Sequence, residues 1–322
     1  MTGNNTSLQT APEAKIAIQT IGLCKDYGSL RAVDKLDLEV PEGQFFGLLG
    51  PNGSGKTTTI HMLTTLARPT QGQAFVAGHD VRREGVAVRR EIGLVFQESA
   101  LDRTLTVAEN LRFAGLLRNL PTAVIRQRSD ELLDLFRLSD RRDKPVATLS
   151  GGMRRALDMA RGVMHHPRLL FLDEPTLGLD VPSRRGIWRF IERLRRDEGI
   201  TVFLTTHYLE EAEECHQVAF LAKGKMIGSG APKALVQSLG TYMVEIESEH
   251  IETIIASLSR RLGPCLQDGT KASFRIQEEQ FDFLDLQAEL GNRVQSVRWR
   301  RPNLNDVFLW INDPNLSGSV VV

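Results

Sequence analysis

The period of the hydrophobic pattern changes several times along the chain, and each change predicts a different kind of element. Residues 1–14 are polar and rich in Asn and Thr, and they read as a disordered tail. From Ile16 onward, short apolar runs bounded by turn residues predict strands. They fall at Ile16–Ile18, Leu36–Leu38, Gln73–Val76, Ile92–Phe96, Leu169–Leu172, Thr201–Thr205 and Val218–Leu221. Phe45-Phe46-Gly47-Leu48-Leu49 is apolar throughout, as suits a buried strand, and Thr57–Leu66 reads as the helix that follows it. Between 98 and 165 the spacing turns helical, with Leu132, Leu133, Leu135 and Phe136 in one stretch and Ala156–Val163 in another. The pattern therefore predicts an α/β sheet domain over 15–235 that carries a helical insertion.

After Gly228-Ser229-Gly230-Ala231-Pro232 the texture changes. Tyr242, Val244 and Ile246 alternate with Met243, Glu245 and Glu247, the pattern of a half-buried strand. Ile251, Ile254, Ile255, Leu258 and Leu262 then repeat at helical spacing, and Gly263-Pro264 stops that helix. Ala272–Ile276 reads as a strand, 279–290 as a helix, Val294–Trp299 as a strand and Asn305–Ile311 as a short closing helix. These elements predict a small α/β unit over 240–312, a stabilising or dimer-supporting appendage, with a tail over 313–322.

Composition changes this picture little. Of 322 residues, 41% are hydrophobic and 25% charged, so a sizeable core is no difficulty. Lys plus Arg and Asp plus Glu each number 40, which gives no electrostatic reason to expect nucleic acid as a partner. The three cysteines, Cys24, Cys215 and Cys265, are far apart and fit a reduced, cytoplasmic compartment. No run approaches the roughly 20 apolar residues needed to cross a bilayer. The chain is thus expected to serve any membrane process from the inner face, as a peripheral subunit.

The chemistry is concentrated in two places. Gly50-Pro51-Asn52-Gly53-Ser54-Gly55-Lys56-Thr57, followed by Thr58, fits the phosphate-loop pattern in full and lies between a predicted strand and a predicted helix. Its glycines let backbone N–H groups turn toward phosphate oxygens, Lys56 brings a compact cation, and the Thr57 hydroxyl suits Mg²⁺. Asp173 closes the apolar run Leu169–Leu172, where a carboxylate beside a phosphate loop suits the same metal. Glu174 follows at once and points elsewhere, free to polarise an attacking water.

With these residues stand Leu149-Ser150-Gly151-Gly152-Met153, Tyr27, Gln97, Asp180 and His207, in an order that resembles the ATP-binding cassette (ABC) ATPase family over residues 16–230. The resemblance implies a P-loop NTPase fold with a RecA-like core, an antiparallel β subdomain and a helical subdomain. It implies ATP and Mg²⁺ as cofactors and ATP hydrolysis as the reaction. Tyr27 would stack on adenine, and Gln97 would contact Mg²⁺ and the attacking water. Glu174 would be the general base and His207 would contact the γ-phosphate. Ser150, Gly151, Gly152 and Asp180 would act in trans, on ATP held by a second cassette, so a dimer with another copy or a similar chain is implied. Met153 stands where the commonest signature has Gln. With Arg154-Arg155 and the closing string Arg301–Phe308, it resembles the drug- and nodulation-factor-exporter branch, whose partner is an ABC-2 type transmembrane permease. An importer ATPase and a soluble cassette protein outside transport remain the alternatives.

Overall fold

The computed structural model describes residues 15–277, 281–313 and 316. The expected tails at 1–14 and 313–322 fall outside that range, Asp313 and Leu316 excepted. Two long strands come first, β1 (Ile16–Tyr27) and β2 (Leu30–Pro41), then β3 (Phe45–Leu49) and helix α1 (Lys56–Leu63). β4 (Gln71–Val76) and β5 (His79–Asp80) complete an antiparallel sheet in the order β2-β1-β4-β5. The chain continues with α2 (Gly85–Glu91), β6 (Ile92–Val95) and the helical insertion: α3 (Val107–Leu117), α4 (Thr122–Leu135) and α5 (Gly151–Gly162). It returns to the sheet through β7 (Leu169–Asp173), α6 (Val181–Glu198), β8 (Thr201–Thr206), α7 (Leu209–Ala212), β9 (Gln217–Ala222), β10 (Lys225–Gly230) and α8 (Pro232–Ser238).

The second sheet runs β10-β9-β3-β8-β7-β6, parallel except for β10 on β9. β3, β7 and β8 are buried at every position, as expected for strands covered on both faces. The fold is that of an α/β P-loop NTPase, with a separate antiparallel sheet and a helical subdomain beside the parallel core.

The helical subdomain is fixed by local chemistry and by one cross-link. Thr106 caps α3 in a reciprocal box, accepting from Glu109 N–H at 3.2 Å while the Glu109 carboxylate accepts from Thr106 N–H at 2.7 Å; such a cap is worth about 1 kcal/mol. Buried Arg128 of α4 donates to both carboxylate oxygens of Glu198 on α6, at 2.8 and 3.0 Å. Both bonds come from the single nitrogen Nη2, and the charge on each partner strengthens them. Phe136 packs against Phe190 with ring centroids 3.8 Å apart, which joins the same two helices through apolar contact.

Past α8 come β11 (Tyr242–Glu247), α9 (Ile251–Leu262), β12 (Cys265–Asp268), β13 (Lys271–Ile276), α10 (Phe283–Leu290), β14 (Ser296–Arg300) and α11 (Leu304–Asn312). The third sheet is antiparallel in the order β12-β13-β11-β14. Val244, Ile246, Ile254, Leu258, Phe274 and Leu286 form its own core. Met243 departs from the expected alternation. It is fully buried, because the other face of β11 joins the large cassette core together with Leu304, Val307 and Trp310 of α11.

Three further departures have simple causes. The expected helix at 279–290 begins at Phe283, where the Asp282 carboxylate caps it by accepting from Asp285 N–H at 2.9 Å; Glu279 and Gln280 lie outside the described residues. The turn signals at Gly228–Gly230 belong to β10, which pairs with β9 through Gly230. β12 escaped the periodicity because Cys265–Asp268 carries no alternation and is held by pairing with β13 alone.

One partly buried imidazole gives this fold a pH dependence. His165 sits between α5 and β7 with Nε2 3.0 Å from the Ile92 carbonyl oxygen. Burial, then the nearby Arg118 charge, push its pKa down to about 4 from 6.5. Between those values the unfolded chain takes up a proton that the folded chain refuses, so stability falls as pH drops through that window. The expected loss is about 3 kcal/mol across the window. Thermal melts of wild type and His165→Gln at pH 7.5 and 4.5 check it: the drop should shrink in the variant, and an equal drop in both would remove His165 as its cause.

Candidate nucleotide site

The carboxyl ends of β3, β6, β7 and β8 lie together at one edge of the parallel sheet, the usual place for a ligand in an open α/β sheet. A cleft of about 820 Å³ opens there. It is lined by Tyr27, Asn52, Gly53, Gly55, Lys56, Thr57 and Thr58 from one side and by Gln97, Glu174 and His207 from the other. Ten of the residues singled out in the sequence therefore share one cavity, although they span 180 positions from Tyr27 to His207.

The phosphate loop folds as it does because two positions tolerate only glycine. A Cβ at Gly50 would lie 2.1 Å from the Leu221 carbonyl oxygen, and one at Gly55 would lie 2.5 Å from that of Ala32. Gly55 also has φ +109°, a left-handed value that leads straight into the first turn of α1. Lys56 is only 5% exposed, and its ammonium donates to the carbonyls of Gly50 and Pro51 at 2.8 and 3.1 Å. Burial lowers its pKa, while Glu174 and Asp173 pull it back up. The Glu174 carboxylate stands 3.6 Å away on one oxygen, and the other oxygen lies 3.3 Å from Nδ1 of His207. Cation, carboxylate and imidazole thus form a short row across the cleft.

Asp173 ends β7 and is buried. Its Oδ1 accepts from Thr57 Oγ1 at 3.3 Å and from Thr205 Oγ1 at 2.5 Å. Thr205 lies opposite both Leu48 and Asp173 because β8 runs between β3 and β7. Its main-chain oxygen and hydroxyl also accept from Glu174 N–H, at 3.2 and 3.1 Å. Glu174 has φ +45°, rare for a residue with a side chain, and this turn aims its carboxylate away from that of Asp173. Tyr27, 48% exposed at the end of β1, stands at the mouth of the cleft with the Lys25 ammonium 4.8 Å from its ring centroid.

Ser150, Gly151, Gly152 and Asp180 are not in this cleft. Ser150 is the exposed N-cap of α5 and accepts from Met153 N–H at 3.2 Å. Asp180 caps α6 and accepts from Ser183 N–H at 2.8 Å; the Ser183 side chain and then this N–H hold its carboxyl below the usual range. The two caps lie close together, since a Cβ at Gly152 would come 2.3 Å from Ser183 Oγ. One surface therefore presents two helix N-termini, each favouring an anion.

Sequence reasoning passed over Thr205 and the positioning role of Glu211. The buried Glu211 carboxylate accepts from the hydroxyls of Thr176 and Thr206, the latter at 2.8 Å, and ties the His207 turn to the Glu174 turn. The available signal was an unusual one: two threonines ending an apolar strand, with an acid a turn further on.

The family profile described as ABC transporter matches residues 33–177. The chain is 43% identical over 303 residues to the daunorubicin/doxorubicin resistance ATP-binding protein DrrA of Streptomyces peucetius, covering 91% of each. It is 39% identical over 294 residues to the Nod factor export ATP-binding protein I of Cupriavidus metallidurans, covering 91% of this chain and 96% of the relative. In structure it resembles the dimeric, post-hydrolysis ATP-binding cassette MJ0796 bound to ADP and Pi. That match has a TM-score of 0.61 and 26% identity, and covers 66% of this chain and 98% of the other. A cleft that brings a phosphate loop, two carboxylates and a histidine together, in a chain this similar to such proteins, belongs to an ATPase of the ABC transporter family.

Proposed function

We propose that this chain is the ATP-hydrolysing subunit of an exporter whose membrane-spanning part is a separate ABC-2 type permease. Two cassettes would close around two ATP molecules, and hydrolysis would reopen them. The observation that carries this reading is the separation just described. Ser150–Gly152 and Asp180 lie on a surface apart from the cleft of their own chain, so half of each closed site comes from another cassette, most simply a second copy. The export direction rests on the relatives with resistance and export names. Among the described residues no helix is long and apolar enough to cross a membrane. The exposed Phe113, Leu116 and Leu117 of α3 offer a partner apolar surface on the helical subdomain.

Within this reading Lys56 leaves the loop carbonyls for the β- and γ-phosphates, and Tyr27 stacks on adenine. Glu174, no longer facing Lys56, accepts a proton from the attacking water, with Gln97 and His207 orienting water and γ-phosphate. Mg²⁺ commonly takes one or two protein oxygens and fills its remaining positions with phosphate and water. Thr57 Oγ1 and Asp173 Oδ1 are a suitable pair, 3.3 Å apart on one side of the loop, with Gln97 lining the same cleft. When bound, the ion would neutralise charge on the phosphates.

A substitution at Gly151 tests the shared site. A Cβ there meets nothing within 4 Å, so Gly151→Asp leaves the chain's own packing intact. It places a negative charge where the other cassette's γ-phosphate would sit. ATP binding to the monomer should persist, while ATP-driven dimerisation disappears and turnover falls by on the order of 100-fold. Wild-type dimerisation and turnover in Gly151→Asp would overturn the in-trans assignment.

A further inference from the structure

The loop after β6 that carries Gln97 has no framework of its own. Among the described residues, no backbone–backbone hydrogen bond outside the sheet ladder holds positions 96–100. They face a row of charged side chains on α5, Arg155, Asp158 and Arg161, spaced three residues apart. Arg155 is buried, and its guanidinium Nη1 donates to the carbonyls of Phe96 and Gln97, the latter at 3.5 Å. Asp158, also buried, faces Ser99 and Ala100 with its Oδ2 lacking a hydrogen-bond partner, and Arg161 donates to the Ala100 carbonyl.

The same guanidinium reaches a second target. Its Nε donates to the Pro175 carbonyl at 2.6 Å, and its Nη2 donates to those of Asp173 and Glu174, each at 3.2 Å. Five main-chain carbonyls from two separate segments thus converge on one side chain, which only a guanidinium has the donors to satisfy. One of them belongs to Glu174, whose left-handed backbone needs outside support to persist. A simple packing role would call for an apolar residue here. Burying a cation against carbonyls is costly, and it is matched only by the geometry that it imposes.

We propose that Arg155, seconded by Asp158 and Arg161, is a positioning residue that ties Gln97 and the Glu174 turn to α5. The N-terminus of that helix is Ser150–Gly152. Engagement of Ser150–Gly152 by the ATP of another cassette is then felt in this chain's own cleft through one rigid connection. The inference rests on the roles proposed above for Glu174, Gln97 and Ser150–Gly152.

The test is steady-state ATP hydrolysis by Arg155→Gln, Arg155→Lys, Asp158→Asn and Arg161→Gln, with Glu174→Gln run in parallel. Arg155 touches no residue of the phosphate loop, so the KM for ATP should stay within about threefold of wild type while kcat falls on the order of 100-fold, the cost of a small misplacement of catalytic groups. Arg155→Lys should not restore kcat, because a single ammonium cannot span both segments. Arg161→Gln loses only the grip on Ala100 and should lower kcat by about three- to tenfold at unchanged KM. A kcat in folded Arg155→Gln within threefold of wild type, or a KM that rises in step with the loss, would overturn the proposal. If neither Arg155 variant folds, wild-type kcat in both Asp158→Asn and Arg161→Gln overturns it. Failure of the underlying reading looks different: Glu174→Gln would then turn over like wild type, whatever the Arg155 variants do.

Discussion

Glu174→Gln is expected to bind ATP as wild type does and to stop hydrolysing it. The amide keeps the shape of the carboxylate, and the backbone contacts that set the turn, from Glu174 N–H to the Thr205 oxygens, do not involve the side chain. What disappears is the ability to accept a proton from water. General-base catalysis contributes roughly 100- to 10,000-fold, and turnover should fall by that factor. Loss of the negative charge between Lys56 and His207 also removes a competitor for the incoming phosphates. An ATP-loaded dimer should therefore accumulate, visible by light scattering after gel filtration with ATP and Mg²⁺. Turnover at the wild-type rate would remove Glu174 from the base role.

Lys56→Ala should fail one step earlier. The ammonium is buried, and its present partners are two loop carbonyls and the Glu174 carboxylate. A charged hydrogen bond to phosphate is worth about 1.5–3 kcal/mol, so ATP affinity should drop by roughly 10- to 100-fold. Removing a donor aimed at the transferring group costs a further factor, on the order of 100- to 1000-fold in turnover. Calorimetric titration with ATP separates the first effect and phosphate release the second. Wild-type affinity in a folded Lys56→Ala protein would contradict the placement of the phosphates against this loop.

Much of the fold was legible in the sequence because its strands are short apolar runs closed by turn residues. Phe45–Leu49 and Leu169–Asp173 were plain for that reason, and so was Gly50–Thr57, whose chemistry demands fixed residue types at fixed spacing. Met243 was not. Its position in an alternating pattern assigned it to the polar face, and that face is buried because it joins the large cassette core. β12 was lost because pairing, not composition, makes it a strand. In the cleft, the residues proposed to meet ATP could be named, whereas the supports could not. Thr205 and Arg155 act through main-chain atoms and neighbouring strands, relations that a linear pattern does not carry. The grouping of Ser150–Gly152 with Asp180, and their distance from the cleft, likewise needed the packing of α5 on α6.

The docking of α11 also bears on how the protein is made. Leu304, Val307 and Trp310 sit in the same apolar cluster as Phe45, Leu172 and Phe220, and Phe308 packs on Phe220 with ring centroids 5.8 Å apart. A ribosome releases the phosphate loop and the whole parallel sheet long before it reaches residue 304. Until then the face of β9 and α8 that α11 covers stays open to water. A nascent cassette can thus hold its nucleotide-site residues in roughly the right order while still exposing a core surface, the condition in which chains aggregate or recruit chaperones. That surface is covered only once α11 is made.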